Sequence, residues 1–143
     1  MNRSIIIDAS VAAKWLLPDE ANPIADLIKE DFAKRIISIA VPAFIFYEVN
    51  NLLKSASLSG RLNQKMAMSL YEAFLNLETT VYWSKQLLKA ALERAFELNI
   101  SSYDASYVVL AEYLQIPFFS ADEKLVKIAS NRLVRPLAVY PPA

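Results

Sequence analysis

Short apolar runs alternate along the chain with longer segments in which apolar residues recur every three or four positions. The longer segments predict helices, and in "SKQLLKAALERAFEL" the apolar side chains share one helix face. Strands that alternate with helices are typical of a mainly parallel sheet covered on both faces. The pattern predicts an α/β fold with three layers, α/β/α. The short runs predict its five strands, at Ser4–Asp8, Ile37–Pro42, Thr79–Trp83, Pro117–Ser120 and Pro136–Tyr140.

The interval between Pro42 and Trp83 contains two helical segments where one would suffice to connect neighbouring strands. Gly60 is the only glycine of the chain and follows "NNLLKSASLS". Glycine commonly ends a helix because it adopts the left-handed conformation without steric cost. We therefore expect an inserted helical hairpin with its elbow at Gly60. With no repeat or linker in the sequence, residues 1–143 are expected to form a single domain.

Composition limits the chemistry that the chain can perform. The formal net charge is zero, so no bulk charge attracts nucleic acid. The sequence contains neither cysteine nor histidine, which excludes thiolate metal sites and the commonest general base. Catalysis would have to use carboxylates, lysines, hydroxyls or a cofactor. Asp8 interrupts the first apolar run too early for a signal peptide, and the longest run, "IAVPAFIF", is too short to span a bilayer. We expect a cytoplasmic protein without membrane association.

Four acidic residues lie directly against apolar runs. Asp8 ends the first predicted strand and Asp122 follows the fourth, which places both at the carboxyl edge of the sheet, where ligands bind in such folds. Glu48 has a large apolar residue one helical turn before it and another one turn after it. Asp104 opens "DASYVVLAEYL", a helix apolar enough to pass through the interior.

Each acid also has an ordinary structural explanation. Asp8 and Asp122 could cap the helices that follow them, Asp104 has the spacing of a capping box, and Glu48 could pair with Lys54. Four acids at one edge, however, would repel one another and stay ionised together only beside a cation. Carboxylate oxygens without histidine or cysteine favour Mg²⁺ or Mn²⁺.

The sequence resembles PIN-domain ribonucleases, specifically toxins of the VapC type from VapBC toxin–antitoxin modules. The resemblance rests on "IIIDASVAAKWLLPDE", "VPAFIFYEVNNLL" and "YDASYVVLAEYLQIPFFSADEKL", and it covers essentially the whole chain. It implies the PIN fold and metal-dependent hydrolysis of RNA phosphodiester bonds with Mg²⁺ or Mn²⁺. It also implies that the metal ligands and catalytic residues are Asp8, Glu48, Asp104 and Asp122.

The resemblance extends to residues around the acids. Ser10 and Ser120 match hydroxyl positions that usually support the acids in this family. Asn51 lies within a turn of Glu48 and could bond to it or to the substrate. Two departures from the family pattern, a missing glycine in "QIP" and a serine at position 120 where threonine is common, leave the acids themselves unchanged.

An RNA substrate requires local contacts because the chain is neutral overall. Lys14, Lys124 and Lys127 could form a basic rim around the acids. Trp15 and Tyr103 could stack on bases, although aromatic residues among apolar neighbours more often belong to a core.

The family also implies partners, namely a VapB-type antitoxin and a second copy of the chain. We therefore expect a homodimer or a higher even oligomer. Exposed apolar surface is expected on the helical hairpin, around Phe74, Leu75 and Leu77.

Other functions remain open at this stage. A catalytically silent binding module with the PIN fold would have the same sequence pattern. An Mg²⁺-binding phosphoacceptor receiver domain needs an acid beside Asp8 and a lysine after the last strand, and "PLAVYPPA" contains no lysine. A phosphatase of the haloacid dehalogenase type needs a second aspartate at the position of Ser10.

Overall fold

Five strands and seven α-helices make up residues 3–141, the part of the chain that the computed structural model describes. The strands are β1 (Arg3–Ile7), β2 (Ile37–Pro42), β3 (Thr80–Tyr82), β4 (Phe118–Ser120) and β5 (Val134–Pro136). The helices are α1 (Ala9–Leu16), α2 (Pro23–Ala33), α3 (Ile45–Leu58), α4 (Gln64–Leu75), α5 (Lys85–Leu98), α6 (Ser102–Leu114) and α7 (Glu123–Ala129). Short 3-10 helices lie at Pro18–Glu20 and Leu137–Val139.

The sheet is parallel throughout, in the order β3-β2-β1-β4-β5. In β1, three consecutive side chains, Ile5, Ile6 and Ile7, are fully buried. Successive residues of a strand point to opposite faces, so helices must cover both faces of the central strand. The predicted three-layer α/β fold is confirmed, and its carboxyl edge carries the connections that hold the candidate site.

The predicted helical hairpin is formed by α3 and α4. Gly60 lies at its elbow with a φ of 80° and has open space where a Cβ would be, so glycine is needed for conformation and not for room. The Tyr71 hydroxyl donates to the Phe46 carbonyl at 2.7 Å and ties α4 back to α3. The hairpin is thus a fixed part of the fold.

The prediction of the fifth strand at Pro136–Tyr140 was wrong. β5 ends at Pro136, and the following residues form a 3-10 helix. Leu137 and Tyr140 are both buried. They are three positions apart, and a helix of three residues per turn points both side chains into the same core.

The exposed apolar surface expected on the hairpin is only partly present. Phe74 is buried, with its ring 5.7 Å from that of Phe46, so it packs inside the hairpin, whereas Leu75 is exposed. Leu58, Met66 and Met68 of the hairpin helices are exposed as well. A second exposed apolar row lies on α5, whose narrow buried stripe consists of alanines. The row, named here the α5 row, comprises Leu88, Leu92 and Phe96, and Phe96 is 79% exposed.

In the described part of the chain, every helix is too short or too polar to cross a bilayer.

Candidate metal centre

The four acids are carried by the connections at one edge of the sheet. Asp8 directly follows β1 and is the N-cap residue of α1, while Asp122 follows β4 and is the N-cap residue of α7. Because β1 and β4 are parallel neighbours, these two residues lie at the same carboxyl edge of the sheet. Glu48 and Asp104 lie in the first turns of α3 and α6. The charge of Asp104 raises the pKa of both Asp8 and Glu48, and the charge of Asp122 raises the pKa of Asp104. The charges of all four acids are therefore coupled.

Asp8 is a buried carboxylate that hydroxyl groups hold in place. Its side chain is 6% exposed. It accepts one hydrogen bond from the Ser10 hydroxyl, one of 2.6 Å from the Ser120 hydroxyl and one of 3.3 Å from the Val11 amide. Burial raises the pKa of Asp8, these hydrogen bonds lower it, and the charge of Asp104 raises it further. No cation takes part in this arrangement among the described residues.

The two serines connect Asp8 to the segment that carries Asp122. Ser120 is completely buried, and its hydroxyl accepts a hydrogen bond of 3.0 Å from the Asp122 amide. The Ser10 hydroxyl accepts one of 3.0 Å from the Ala121 amide. Each hydroxyl therefore donates to Asp8 and accepts from the backbone that follows β4. The two serines therefore tie the connection after β1 to the connection after β4.

Glu48 is half-buried and bonds to a tyrosine. Its Oε1 accepts a hydrogen bond of 2.6 Å from the Tyr107 hydroxyl. Burial raises the pKa of Glu48, the Tyr107 hydrogen bond lowers it, and the charges of Asp8 and Asp104 raise it. Within residues 3–141 no ion pair includes Glu48, so Lys54 is not its partner.

Asp104 and Asp122 combine helix-end contacts with mutual repulsion. The Ser101 hydroxyl caps α6 by accepting from the Asp104 amide at 3.0 Å, and Oδ1 of Asp122 caps α7 by accepting from the Leu125 amide at 3.1 Å. Burial raises the pKa of Asp104, the charge of Asp122 raises it further, and a hydrogen bond from the Ser101 side chain lowers it. Capping is therefore real, but it does not account for the closeness of these like charges.

The donor set of this edge suits a hard divalent cation. It consists of carboxylate and hydroxyl oxygens, which favour Mg²⁺ or Mn²⁺, and bound cations relieve repulsion of the kind that raises these pKa values. As the side chains stand, no three acidic residues of the described chain converge on one point where an ion could bind. An ion would have to draw carboxylates together or be held partly through water, as Mg²⁺ commonly is.

The three lysines of the predicted basic rim differ in position. Lys14 is half-buried and lines a cavity of about 220 Å³ together with Ser120 and Ala121, close to the Asp8 contacts. Lys124 and Lys127 are exposed on α7, the helix that Asp122 caps. None of the three forms an ion pair within the described residues.

The structure also locates Asn51, Trp15 and Tyr103, the remaining residues with a predicted contact to Glu48 or to RNA. Asn51 is exposed, and its side chain makes no hydrogen bond to Glu48 or to any other described residue. The indole N–H of Trp15 donates to the Ala25 carbonyl at 2.7 Å, which ties Trp15 to α2 and leaves its ring packed on the core. Tyr103 is 61% exposed, with its ring 5.5 Å from that of Phe44.

Sequence reasoning missed Tyr107, the residue that contacts Glu48. The available indication was its position three residues after Asp104, which puts both side chains on one side of α6. The contact to Glu48 joins residues 59 positions apart, and helical periodicity carries no information about it.

Comparisons with known proteins agree with this architecture. The family model described as PIN domain matches residues 5–131. Ribonuclease VapC3 of Pyrobaculum aerophilum is 28% identical over 127 residues, covering 86% of this chain and 92% of that protein. The crystal structure of PAE2754 from the same organism superimposes with a TM-score of 0.71 at 21% identity, covering 97% of this chain and 94% of that one.

A second solved structure is VapBC2 of Rickettsia felis bound to a DNA fragment from its promoter. It matches with a TM-score of 0.68 at 14% identity, covering 92% of this chain and 98% of the other. At such identities the structural matches establish the fold alone. The family match extends from the first strand to the segment before the last strand, and the chain therefore belongs to the PIN domain family.

Proposed function

We propose that the protein is an Mg²⁺- or Mn²⁺-dependent endoribonuclease and acts in the cytoplasm as the toxin of a VapBC pair. The observation that carries this proposal is the gathering of four carboxylates at one sheet edge with no paired cation among the described residues. Like charges that raise one another's pKa values favour a site that a divalent cation completes. The ribonuclease name of the Pyrobaculum aerophilum relative supports RNA as the substrate.

Within this proposal the acids have distinct roles. Asp8 and Asp104 are the central ligands, Asp122 completes the set, and Glu48 is a ligand or holds the attacking water. The Ser10 and Ser120 hydroxyls donate to Asp8 and so favour its ionised, ligating form. When bound, the divalent ion would lower the pKa of a water molecule and stabilise the oxygen that leaves phosphorus.

Because the protein has no net charge, RNA must be attracted by positive side chains near the site. Lys14 is the best placed lysine because it lines the cavity beside Ser120, whereas Lys124 and Lys127 could contact phosphates farther along α7. The Rickettsia felis neighbour was solved as a VapBC complex, which supports a VapB-type antitoxin as the partner of this chain.

Self-association is part of the proposal. The α5 row presents three large apolar side chains to solvent side by side. Single exposed apolar residues are common on protein surfaces, whereas a contiguous row indicates a contact surface. We propose a homodimer that covers this row. A strictly monomeric mass by light scattering at roughly tens of micromolar, where a modest interface would be occupied, would contradict it.

The decisive experiment replaces Asp104 with asparagine. Asp104→Asn removes one repelling charge but keeps the backbone amide that Ser101 caps. Without metal, in EDTA, the variant should melt at the same temperature as the parent or higher. It should lose RNA cleavage and most of the rise in melting temperature that millimolar Mg²⁺ gives the parent, since a ligand that binds only the native state stabilises it.

Asp26→Asn is the matched control, because Asp26 is also an acid in the first turn of a helix but lies on α2. It should leave cleavage and the Mg²⁺ response intact. Parental cleavage by Asp104→Asn, or a parent that Mg²⁺ does not stabilise, would contradict the proposal.

A catalytically silent module is the second candidate, because the carboxylates do not yet converge on one point. It would bind RNA or antitoxin but leave RNA intact at every Mg²⁺ and Mn²⁺ concentration.

A further inference from the structure

Tyr107 is a buried tyrosine beside the acids. It is 1% exposed. Its ring stacks on Phe118 of β4, with centroids 5.4 Å apart and an angle of 20° between the planes, and meets Phe44 edge-on at 5.3 Å. A ring held between two aromatic neighbours cannot change rotamer without displacing them. The position of the hydroxyl is therefore fixed by the core.

That hydroxyl joins two of the connections that carry acids. It donates to Oε1 of Glu48 at 2.6 Å, and the backbone of Ala9, the residue after Asp8, lies close enough to lower the pKa of Tyr107. Tyr107 itself lies one helical turn after Asp104. One phenol oxygen thus links the start of α1 and the first turn of α3 from a helix that carries a third acid.

We propose that Tyr107 is a positioning residue for the candidate metal centre. It occupies Oε1 of Glu48 and leaves Oε2 as the oxygen that faces the ion or its bound water. Glu48 then acts through one oxygen and not as a bidentate ligand. This inference rests on the proposed function, because it assigns the orientation of one of the four acids.

A positioning residue is needed because a glutamate side chain without a hydrogen-bond partner adopts many conformations. Glu48 has three rotatable bonds and feels the negative charges of Asp8 and Asp104, so without Tyr107 its carboxylate would turn away from them towards water. The neutral hydroxyl restrains it without cancelling its charge. Partners of this kind, which orient a ligand from behind, typically change metal affinity about 10–100-fold when removed.

The chain contains a matched control in Tyr140. This tyrosine is also buried, its hydroxyl donates to Oδ2 of Asp31 at 2.6 Å, and its ring meets Phe119 edge-on at 5.3 Å. Asp31 lies near the end of α2 and is not one of the four acids. Tyr140→Phe therefore removes the same kind of hydrogen bond in the same kind of packing, without touching Glu48.

The experiment titrates Mn²⁺ into parent, Tyr107→Phe and Tyr140→Phe, and measures free Mn²⁺ by electron paramagnetic resonance. Tyr107→Phe should bind Mn²⁺ about 10–100-fold more weakly than the parent, and Tyr140→Phe should bind like the parent. Metal-free melting temperatures should fall for both variants, because each loses one buried hydrogen bond. A merely structural role would lower the melting temperature of Tyr107→Phe but leave its Mn²⁺ affinity unchanged.

The outcomes separate the two proposals. If the parent binds Mn²⁺ and both variants bind it equally well, the positioning role is wrong and the metal centre stands. If the parent itself binds no Mn²⁺, the metal centre is wrong, and the positioning role with it.

Discussion

Two acidic clusters in this protein differ in how their charge is balanced. At the hairpin elbow, Arg61 bonds to both oxygens of Asp19 at 2.9 Å and to Glu20 at 2.6 Å. The hydrogen bonds from Arg61 lower the pKa of Asp19. At the sheet edge no arginine or lysine pairs with the acids among the described residues, and the pKa values of Asp8, Glu48 and Asp104 are raised, most of all by burial.

The difference separates a structural cluster from a candidate functional one. Asp19 and Glu20 are satisfied within the chain, and their pairing ties the turn after α1 to the hairpin elbow. The acids of the sheet edge are held in place by hydroxyls and amides that orient them without neutralising them. An acidic site whose charge is uncompensated within the described residues is suited to bind a cation that draws its carboxylates together.

The largest expected effect comes from removing one acid of each cluster. Asp8→Asn should lower RNA cleavage by roughly 10²–10³-fold, the usual range for losing one strong electrostatic contact in an active site. Asp19→Asn should leave the cleavage rate unchanged, since only the exposed pairing with Arg61 is weakened. The measurement is cleavage of one labelled RNA by both variants at saturating Mg²⁺. Equal losses would mean that the two clusters do not differ as described.

The sequence predicted the parts of the fold that depend on local pattern. β1 and β2 were found because their continuous apolar runs are buried on both faces, and Gly60 was found because its left-handed conformation selects glycine. Misplacement of the last strand has the opposite cause. "PLAVY" reads equally well as a strand or a 3-10 turn, and only the depth of the core at Leu137 decides between them.

In the candidate site, too, local pattern predicts some features, and others depend on how distant segments pack. The four acids stood out because a charge beside an apolar run is locally unusual. The surface position predicted for Phe74 is wrong because its contact with Phe46 crosses the hairpin, and no local pattern indicates the role of Tyr107 because its partner lies on another helix. Contacts between distant segments are set by how the elements pack, which a single sequence does not display.

A smaller effect is expected from a hydroxyl that orients the acids. Ser120→Ala removes one donor to Asp8 and leaves the Asp122 amide without its partner, which should cost about 1–3 kcal/mol of unfolding free energy. The Mg²⁺-induced rise in melting temperature should shrink as well, because Asp8 loses its orientation. Ser4→Ala is the control, since Ser4 bonds to Ser38 at the exposed opposite end of β1. Indistinguishable variants would argue against an orienting role for Ser120.

The two clusters should also respond oppositely to pH. The native pKa values of Asp8, Glu48 and Asp104 are raised, so between the ordinary carboxyl value of about 4 and those values the native state binds more protons than the unfolded state. Their contribution to the free energy of unfolding therefore falls as pH rises through that window. Asp19 has a lowered pKa, so its contribution is lost as pH falls below about 4.

Metal-free protein should accordingly melt at a higher temperature at the acidic end of that window than at neutral pH, because these acids lose their contribution as the pH rises. The difference should be smaller in Asp104→Asn, which lacks one of the repelling charges. Melting curves in EDTA across this range test it. An Asp104→Asn variant with the full parental difference would show that the repulsion among these acids is not its source.

The smallest effect is expected at the elbow. Arg61→Gln should lower the melting temperature only slightly at low salt, because the pairs with Asp19 and Glu20 are exposed and water screens them. The difference from the parent should disappear near 1 M salt, where charges are screened over about 3 Å. RNA cleavage should not change at any salt concentration. Melting of both proteins at low and high salt, beside a cleavage assay, measures all three. A variant that melted normally but cleaved RNA poorly would place the elbow within the functional site and remove the distinction between the two clusters.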